Sequence, residues 1–77
     1  MLTLYSTSHC HLCEQAYALL VACRVADRTT LVDVADDDQL FDAYGVRIPV
    51  LRYQENELAW PFDEEGLREW LQVHGIN

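Results

Sequence analysis

The sequence predicts one α/β domain over residues 1–77, in the order strand, helix, strand, helix, strand, strand, helix. Short runs rich in apolar or β-branched residues alternate with stretches of helical periodicity, and polar or turn residues separate them. The length of 77 residues leaves room for one small core, and an apolar fraction of 51% argues against disorder.

The first half of the chain contains a strand, a helix and a second strand. Leu2 to Tyr5 is the first strand, and a helix follows over about Cys10 to Cys23. An apolar stripe at helical spacing marks the buried face of this helix: Ala16, Leu19, Leu20 and Cys23. We expect Cys23 to act as a small buried hydrophobe. Thr29 to Val34 is rich in β-branched residues and is the second strand.

The second half begins with a short helix that contains Leu40, Phe41 and Tyr44 and ends at Gly45. Val46 to Tyr53 is predicted as the third strand, and Pro49 marks its entry because proline cannot donate to the ladder.

The chain then forms a hairpin and a final helix. Gln54 to Glu57 is predicted as the turn, and Leu58 to Trp60 as the fourth strand, antiparallel to the third. After a break at Pro61, Asp63 is the predicted N-cap of the last helix, which ends at Gly75. One face of this helix is apolar or aromatic: Leu67, Trp70, Leu71 and His74.

Charge excludes some classes of partner. The net charge is -8, from thirteen acids and five arginines with no lysine, which argues against nucleic-acid binding because phosphate contacts need clustered cations. Two acidic runs, Asp36 to Asp38 and Asp63 to Glu65, fit the first turns of helices, where the helix dipole favours negative charge. A recognition surface for basic partners is the alternative interpretation.

The same composition bears on location. No stretch approaches the roughly 20 apolar residues that span a bilayer, so we expect no membrane association. Met1 to Tyr5 lacks the basic start of a secretory signal. We therefore expect a cytoplasmic monomer in a reducing environment.

The two cysteines at the start of the first helix carry the chemistry. Cys10 and Cys13 are at positions i and i+3, where two thiols can close a disulfide with little backbone movement. A helix N-terminus favours a thiolate and lowers a cysteine pKa to about 3.5–7.5. Three cysteines are too few for a structural disulfide scaffold. The pair is therefore interpreted as working thiols.

Two segments resemble the glutaredoxin-like branch of the thioredoxin superfamily: Leu4-Tyr5-Ser6 before Cys10-His11-Leu12-Cys13, and Ile48-Pro49-Val50-Leu51. The resemblance implies a thioredoxin-like, glutaredoxin-type βαβαββα fold with a four-stranded mixed sheet flanked by helices. It also implies a thiol-disulfide oxidoreductase of cell redox homeostasis, which acts by dithiol exchange on protein or small-molecule disulfides. Cys10 would attack the disulfide, and Cys13 would resolve the mixed disulfide.

The resemblance further implies a substrate-binding surface. Pro49 would follow a cis peptide bond, and the free backbone edge at Ile48 would pair with an extended substrate. His11 and Trp60 are the other candidate contacts. As cations, His9 and His11 would stabilise a Cys10 thiolate; the alternative is that both imidazoles point to solvent.

Two further side chains keep alternative roles. Arg47 would either meet a substrate carboxylate or lie solvated at the edge of the site. Trp60 would either pack in the core or cover the substrate groove.

Departures from the glutaredoxin pattern bear on glutathione. Many glutaredoxins carry Cys-Pro-Tyr-Cys, a preceding lysine and a Gly-Gly turn, whereas this chain has His11-Leu12, no lysine and Trp60-Pro61-Phe62-Asp63. We therefore expect no bound cofactor. Whether glutathione acts as a co-substrate is left open by the sequence.

Two other function classes are compatible with the sequence. His9, Cys10, His11 and Cys13 supply donors that suit zinc or copper(I), although they are crowded into one helix start. A redox-inactive adaptor that binds a partner strand beside Pro49 is the other alternative.

Overall fold

The computed structural model describes residues 1–76, so Asn77, the last residue of the predicted domain, lies outside the described residues. Helices and strands follow the predicted order: β1 (Leu2–Ser6), α1 (His11–Ala22), β2 (Thr29–Asp33), α2 (Asp38–Tyr44), β3 (Val50–Tyr53), β4 (Asn56–Ala59) and α3 (Glu64–Val73). Short 3-10 turns, Ala26–Arg28 and Val34–Asp36, flank β2.

The strands form a four-stranded sheet in the order β2-β1-β3-β4. β1 pairs parallel with β2 and antiparallel with β3, and β3 pairs antiparallel with β4. The predicted mixed sheet is confirmed. β1 is a central strand, which fixes the position of the loop that leads from Ser6 to the cysteine pair.

The third strand is shorter than predicted. β3 begins at Val50, because residues 46–48 continue the exit from α2 instead of pairing in the sheet. The amides of Arg47 and Ile48 both donate to the carbonyl of Tyr44, at 2.7 and 3.0 Å. Local hydrogen bonding at the helix end thus overrides the β propensity of Val46 and Ile48.

The hairpin is tighter than predicted. Only Gln54 and Glu55 form the turn, with Gln54 at a φ of 56°, so β4 begins at Asn56 and ends at Ala59. Trp60, predicted as the end of this strand, lies one residue beyond it.

One face of the sheet packs against α1 and α3. The main core cluster contains leucines of β1 and β3 together with residues from both helices: Leu2, Leu4, Ala16, Leu20, Val25, Leu51, Leu67 and Leu71. Leu19, Cys23 and Trp70 are half-buried against this cluster. The apolar faces predicted for the first and last helices are therefore confirmed.

The opposite face of the sheet packs against α2. Tyr5, Val34, Tyr44 and Val50 form a second buried cluster. The rings of Tyr5 and Tyr44 stack with centroids 4.2 Å apart. The Tyr44 hydroxyl donates to a Glu57 carboxylate oxygen at 2.7 Å, which connects α2 to β4.

Both acidic runs serve helix starts. Asp37 accepts hydrogen bonds from the amides of Gln39 and Leu40 at the start of α2, at 2.8 and 3.2 Å. Asp63 accepts from the amide of Gly66 at 2.7 Å and is the N-cap of α3, as predicted. Each cap satisfies amides that have no partner within the helix.

Among residues 1–76, no helix has both the length and the hydropathy needed to cross a bilayer.

The link from Tyr44 to Glu57 makes stability depend on pH. The Tyr44 hydroxyl, followed by Arg47, lowers the pKa of Glu57 from its ordinary value of 4.5. A carboxylate with a lowered pKa stabilises the fold above that ordinary value, and the contribution is lost as the pH falls below it.

We expect Tyr44→Phe to cost about 1 kcal/mol of unfolding free energy at pH 7, because it removes the hydroxyl and keeps the stacked ring. The difference from the wild type should shrink below pH 4.5. Urea unfolding at several pH values measures both effects. Tyr17→Phe, which alters an exposed tyrosine, is the matched control. An equal loss at pH 7 and pH 3 would contradict the role of Glu57.

Candidate active site

Cys10 and Cys13 form a disulfide at the N-terminus of α1, with their Cα atoms 5.2 Å apart. Cys10 is the N-cap residue, and its Sγ atom accepts a hydrogen bond from the Cys13 amide at 3.2 Å. Cys10 is half-buried, whereas Cys13 is only 6% exposed. One sulfur is therefore accessible at the helix tip, and the other lies behind it.

The loop before α1 makes a sharp turn. His9 has a φ of 58°, a left-handed conformation that is uncommon outside glycine and enriched for histidine. His9 and His11 are both exposed on either side of Cys10. Their predicted influence on the thiolate stays a prediction.

The proline loop lies at the same end of the sheet as the cysteines. Tyr5 pairs with Val50 across β1 and β3, so Ser6, which leads to Cys10, neighbours Pro49, which precedes β3. The bond between Ile48 and Pro49 is cis, as the resemblance implied. The bond before Pro61 is also cis, which the sequence did not predict.

The backbone at Ile48 is less free than the sequence predicted. Its N–H already donates to the Tyr44 carbonyl, because residues 46–48 wrap the end of α2. The Pro49 carbonyl accepts from the Trp60 amide at 3.3 Å, and the Pro49 side chain is fully buried. A substrate strand would therefore have to displace an internal hydrogen bond to use the Ile48 amide.

Trp60 lies beside Pro49 and makes packing contacts. It is half-buried against the main core, and its ring meets that of Phe62 edge-on with centroids 5.1 Å apart. These contacts favour the packing role over a lid.

Arg47 is held by the protein itself. Its guanidinium pairs with Glu57 at 2.7 Å and lies over the Tyr44 ring, 5.2 Å from the centroid. The pair leaves Arg47 on the α2 side of the sheet and favours the edge role over substrate recognition.

The cysteines open onto a groove that the sequence did not predict. The groove has a volume of about 470 Å³ and lies between α1 and the edge strand β2. Its lining includes the buried Leu4 and both cysteines, with Glu14, Tyr17 and Leu31 on the walls. Ile48, Pro49, Trp60 and His11, the predicted substrate contacts, do not line it. The only signal in the sequence was an apolar Leu31 on a strand that proves to be an edge.

Residues 1–76 contain no group of three or more His, Cys, Asp or Glu side chains placed to hold a metal ion. In the disulfide, the sulfurs of Cys10 and Cys13 are bonded to each other. The zinc or copper alternative thus gains no support from the geometry.

Cys23 is separate from this site. It is a half-buried free thiol packed against the core at the other end of α1. Burial raises its pKa, an effect that Arg68 partly opposes.

Comparison with known proteins identifies the family. Residues 1–72 match the model of the glutaredoxin-like domain (DUF836). The chain belongs to this glutaredoxin-like family. No curated protein matches the chain significantly.

Two solved structures are similar to this glutaredoxin-like domain. The crystal structure of Northeast Structural Genomics target protein XcR50 from X. campestris is 47% identical, with 95% of this chain and 97% of that chain covered and a TM-score of 0.88. The solution structure of XcR50 is 46% identical over 94% and 92% of the two chains, with a TM-score of 0.84. The predicted thioredoxin-like α/β fold is confirmed.

The difference in exposure of the thiols leads to an order of reactivity. After reduction, we expect iodoacetamide at pH 7 to alkylate Cys10 at least about tenfold faster than Cys13 or Cys23. Cys13 is buried, and the raised pKa of Cys23 leaves little thiolate. Mass spectrometry of digested samples over time measures the three rates. Faster alkylation of Cys13 or Cys23 would contradict the assignment of Cys10 as the accessible thiolate.

Proposed function

We propose that this glutaredoxin-like domain is a thiol-disulfide oxidoreductase that acts by dithiol exchange on protein or small-molecule disulfides. The observation that carries the proposal is the pairing of an accessible Cys10 with a buried Cys13 at a helix N-terminus. The membership of the glutaredoxin-like family supports the same chemistry.

The reaction needs the reduced pair. The Cys10 thiolate attacks one sulfur of the substrate disulfide, that S–S bond breaks, and the leaving thiolate takes a proton from solvent. Cys13 then loses its proton and attacks the Sγ atom of Cys10. This step forms the Cys10–Cys13 disulfide and releases the second substrate thiolate. Two electrons pass from the cysteine pair to the substrate, which leaves with both sulfurs reduced.

The geometry supports this division of roles. A thiolate at Cys10 would receive the Cys13 amide hydrogen bond and the positive end of the α1 dipole. Cys13 is too buried to meet a bulky disulfide but is in bonding contact with Cys10. The inner sulfur is therefore suited to resolve a mixed disulfide.

The proposal requires no bound cofactor, because the two sulfur atoms supply both electrons. An external thiol must reduce the pair again, and glutathione is one candidate co-substrate. A reducing compartment such as the cytoplasm would keep the pair available as thiols. The site lies within one chain, so a monomer suffices.

Serine variants test the two roles. We expect Cys10→Ser to abolish reduction of hydroxyethyl disulfide and insulin, because it removes the attacking sulfur. Cys13→Ser should accumulate a covalent adduct between Cys10 and the substrate, visible as an added mass that dithiothreitol removes. Cys23→Ser, which alters a thiol outside the site, is the matched control and should still reduce both hydroxyethyl disulfide and insulin.

Normal turnover by Cys10→Ser would overturn the assignment of the attacking residue. A wild-type protein that reduces neither substrate would overturn the proposed function and favour the adaptor alternative.

A further inference from the structure

The groove beside the cysteines exposes apolar side chains on both of its walls. Tyr17 on α1 is 38% exposed, and Leu31 on β2 is 55% exposed. Val21, one helical turn beyond Tyr17, extends this apolar strip and is also 55% exposed. Exposed apolar side chains that adjoin one another around a groove are typical of a binding surface.

The reacting sulfur of Cys10 belongs to the lining of the groove. Cys10 and Cys13 both line the groove, and so do Ser6 and Thr7, which precede the cysteines in the chain. Any chain segment seated between Tyr17 and Leu31 would therefore lie next to the Cys10 sulfur. We therefore expect the occupant to be a segment of the substrate, next to the substrate cysteine whose sulfur Cys10 attacks.

The charge around the groove indicates the chemistry of that segment. Glu14 lines the groove, and Asp33 neighbours Ser6 at the end of β2, on the same face of the sheet as Leu31. Asp36, Asp37 and Asp38 follow at the same end of the sheet and are exposed, but they lead into α2 on the opposite face and do not line the groove.

Among the described residues that line the groove, only His9 can become positively charged, and in its neutral form it leaves these acids unopposed at the groove. None of the arginines lines it, and the chain contains no lysine. Arg24 follows the C-terminal end of α1, and Arg28 precedes β2, so both lie at the opposite end of the sheet. A basic segment would thus gain attraction at the groove, whereas a second copy of this chain, with its net charge of -8, would be repelled.

We propose that the groove between α1 and β2 binds a basic segment of a substrate protein, adjacent to the substrate's reactive cysteine. An apolar side chain of the segment enters between Tyr17 and Leu31, and its Lys or Arg side chains lie against Glu14 and Asp33. This inference rests on the proposed function and adds a substrate class to it.

Single-turnover reduction of two peptide disulfides tests the inference. Both probes are disulfide-linked dimers with leucine near the cysteine, and they differ only in having arginine or glutamate as flanking residues. Reduced wild-type protein is mixed with each dimer, and released peptide thiol is measured over time. Each rate is divided by the rate of the same dimer with dithiothreitol, which corrects for the effect of flanking charge on the disulfide itself.

We expect the basic dimer to be reduced at least roughly tenfold faster than the acidic dimer at low ionic strength. The ratio should approach one in about 1 M salt, where charge is screened. Equal corrected rates at low salt, with hydroxyethyl disulfide still reduced, would overturn the inference and leave the proposed function standing. Failure to reduce hydroxyethyl disulfide, insulin and both dimers would overturn the proposed function and the inference with it.

Variants on the two walls locate the effect. Glu14→Gln should lower the ratio of basic to acidic rates at least about threefold, and this ratio is independent of the intrinsic reactivity of Cys10. Leu31→Ser should lower the rate with the basic dimer, relative to hydroxyethyl disulfide, by a similar factor. Glu69→Gln and Val73→Ser alter exposed residues of α3 and are the matched controls. Equal effects of the controls and the groove variants would place the preference elsewhere on the protein.

Discussion

The N-cap of α1 is the constraint on which the rest of the site depends. The first amides of a helix have no partner within it and require an acceptor. Here the acceptor is the Cys10 Sγ atom, and the donor is the amide of Cys13, at 3.2 Å. The contact that closes the helix start therefore also brings the second cysteine to the first, with Cα atoms 5.2 Å apart. The same helix end supplies the positive potential that stabilises a thiolate once the disulfide is reduced.

The sheet holds this helix tip in place. β1 is paired on both sides and packed on both faces, with Leu4 in one core cluster and Tyr5 in the other. The loop that carries Cys10 leaves from the end of this rigid strand. Ala16 and Leu20 bind α1 to the same core. The outer sulfur is therefore presented by a well-supported strand and helix, while the exposed strip on α1 and β2 stays open to a partner.

Much of the architecture was predictable because it rests on local patterns. The helical spacing of Ala16 and Leu20 predicts the buried face of α1, and the cap at Asp63 predicts the start of α3. The spacing of the two cysteines predicts that they can close a disulfide. The sequence did not predict the short β3, since the capture of the Ile48 amide by Tyr44 depends on how α2 ends. The groove was not predictable either, because Leu31 and Tyr17 come together only through the parallel pairing of β1 with β2. Residue types thus identified the reacting atoms, whereas the surface around them required the tertiary structure.

The most direct test of the central claim is a redox titration of the wild-type protein in glutathione buffers, with the thiol state of each cysteine determined by mass spectrometry after alkylation. We expect one reversible two-electron transition between the Cys10–Cys13 disulfide and the dithiol, with Cys23 reduced throughout. A pair that stays fully reduced or fully oxidised across the titration, or a disulfide that includes Cys23, would contradict the account.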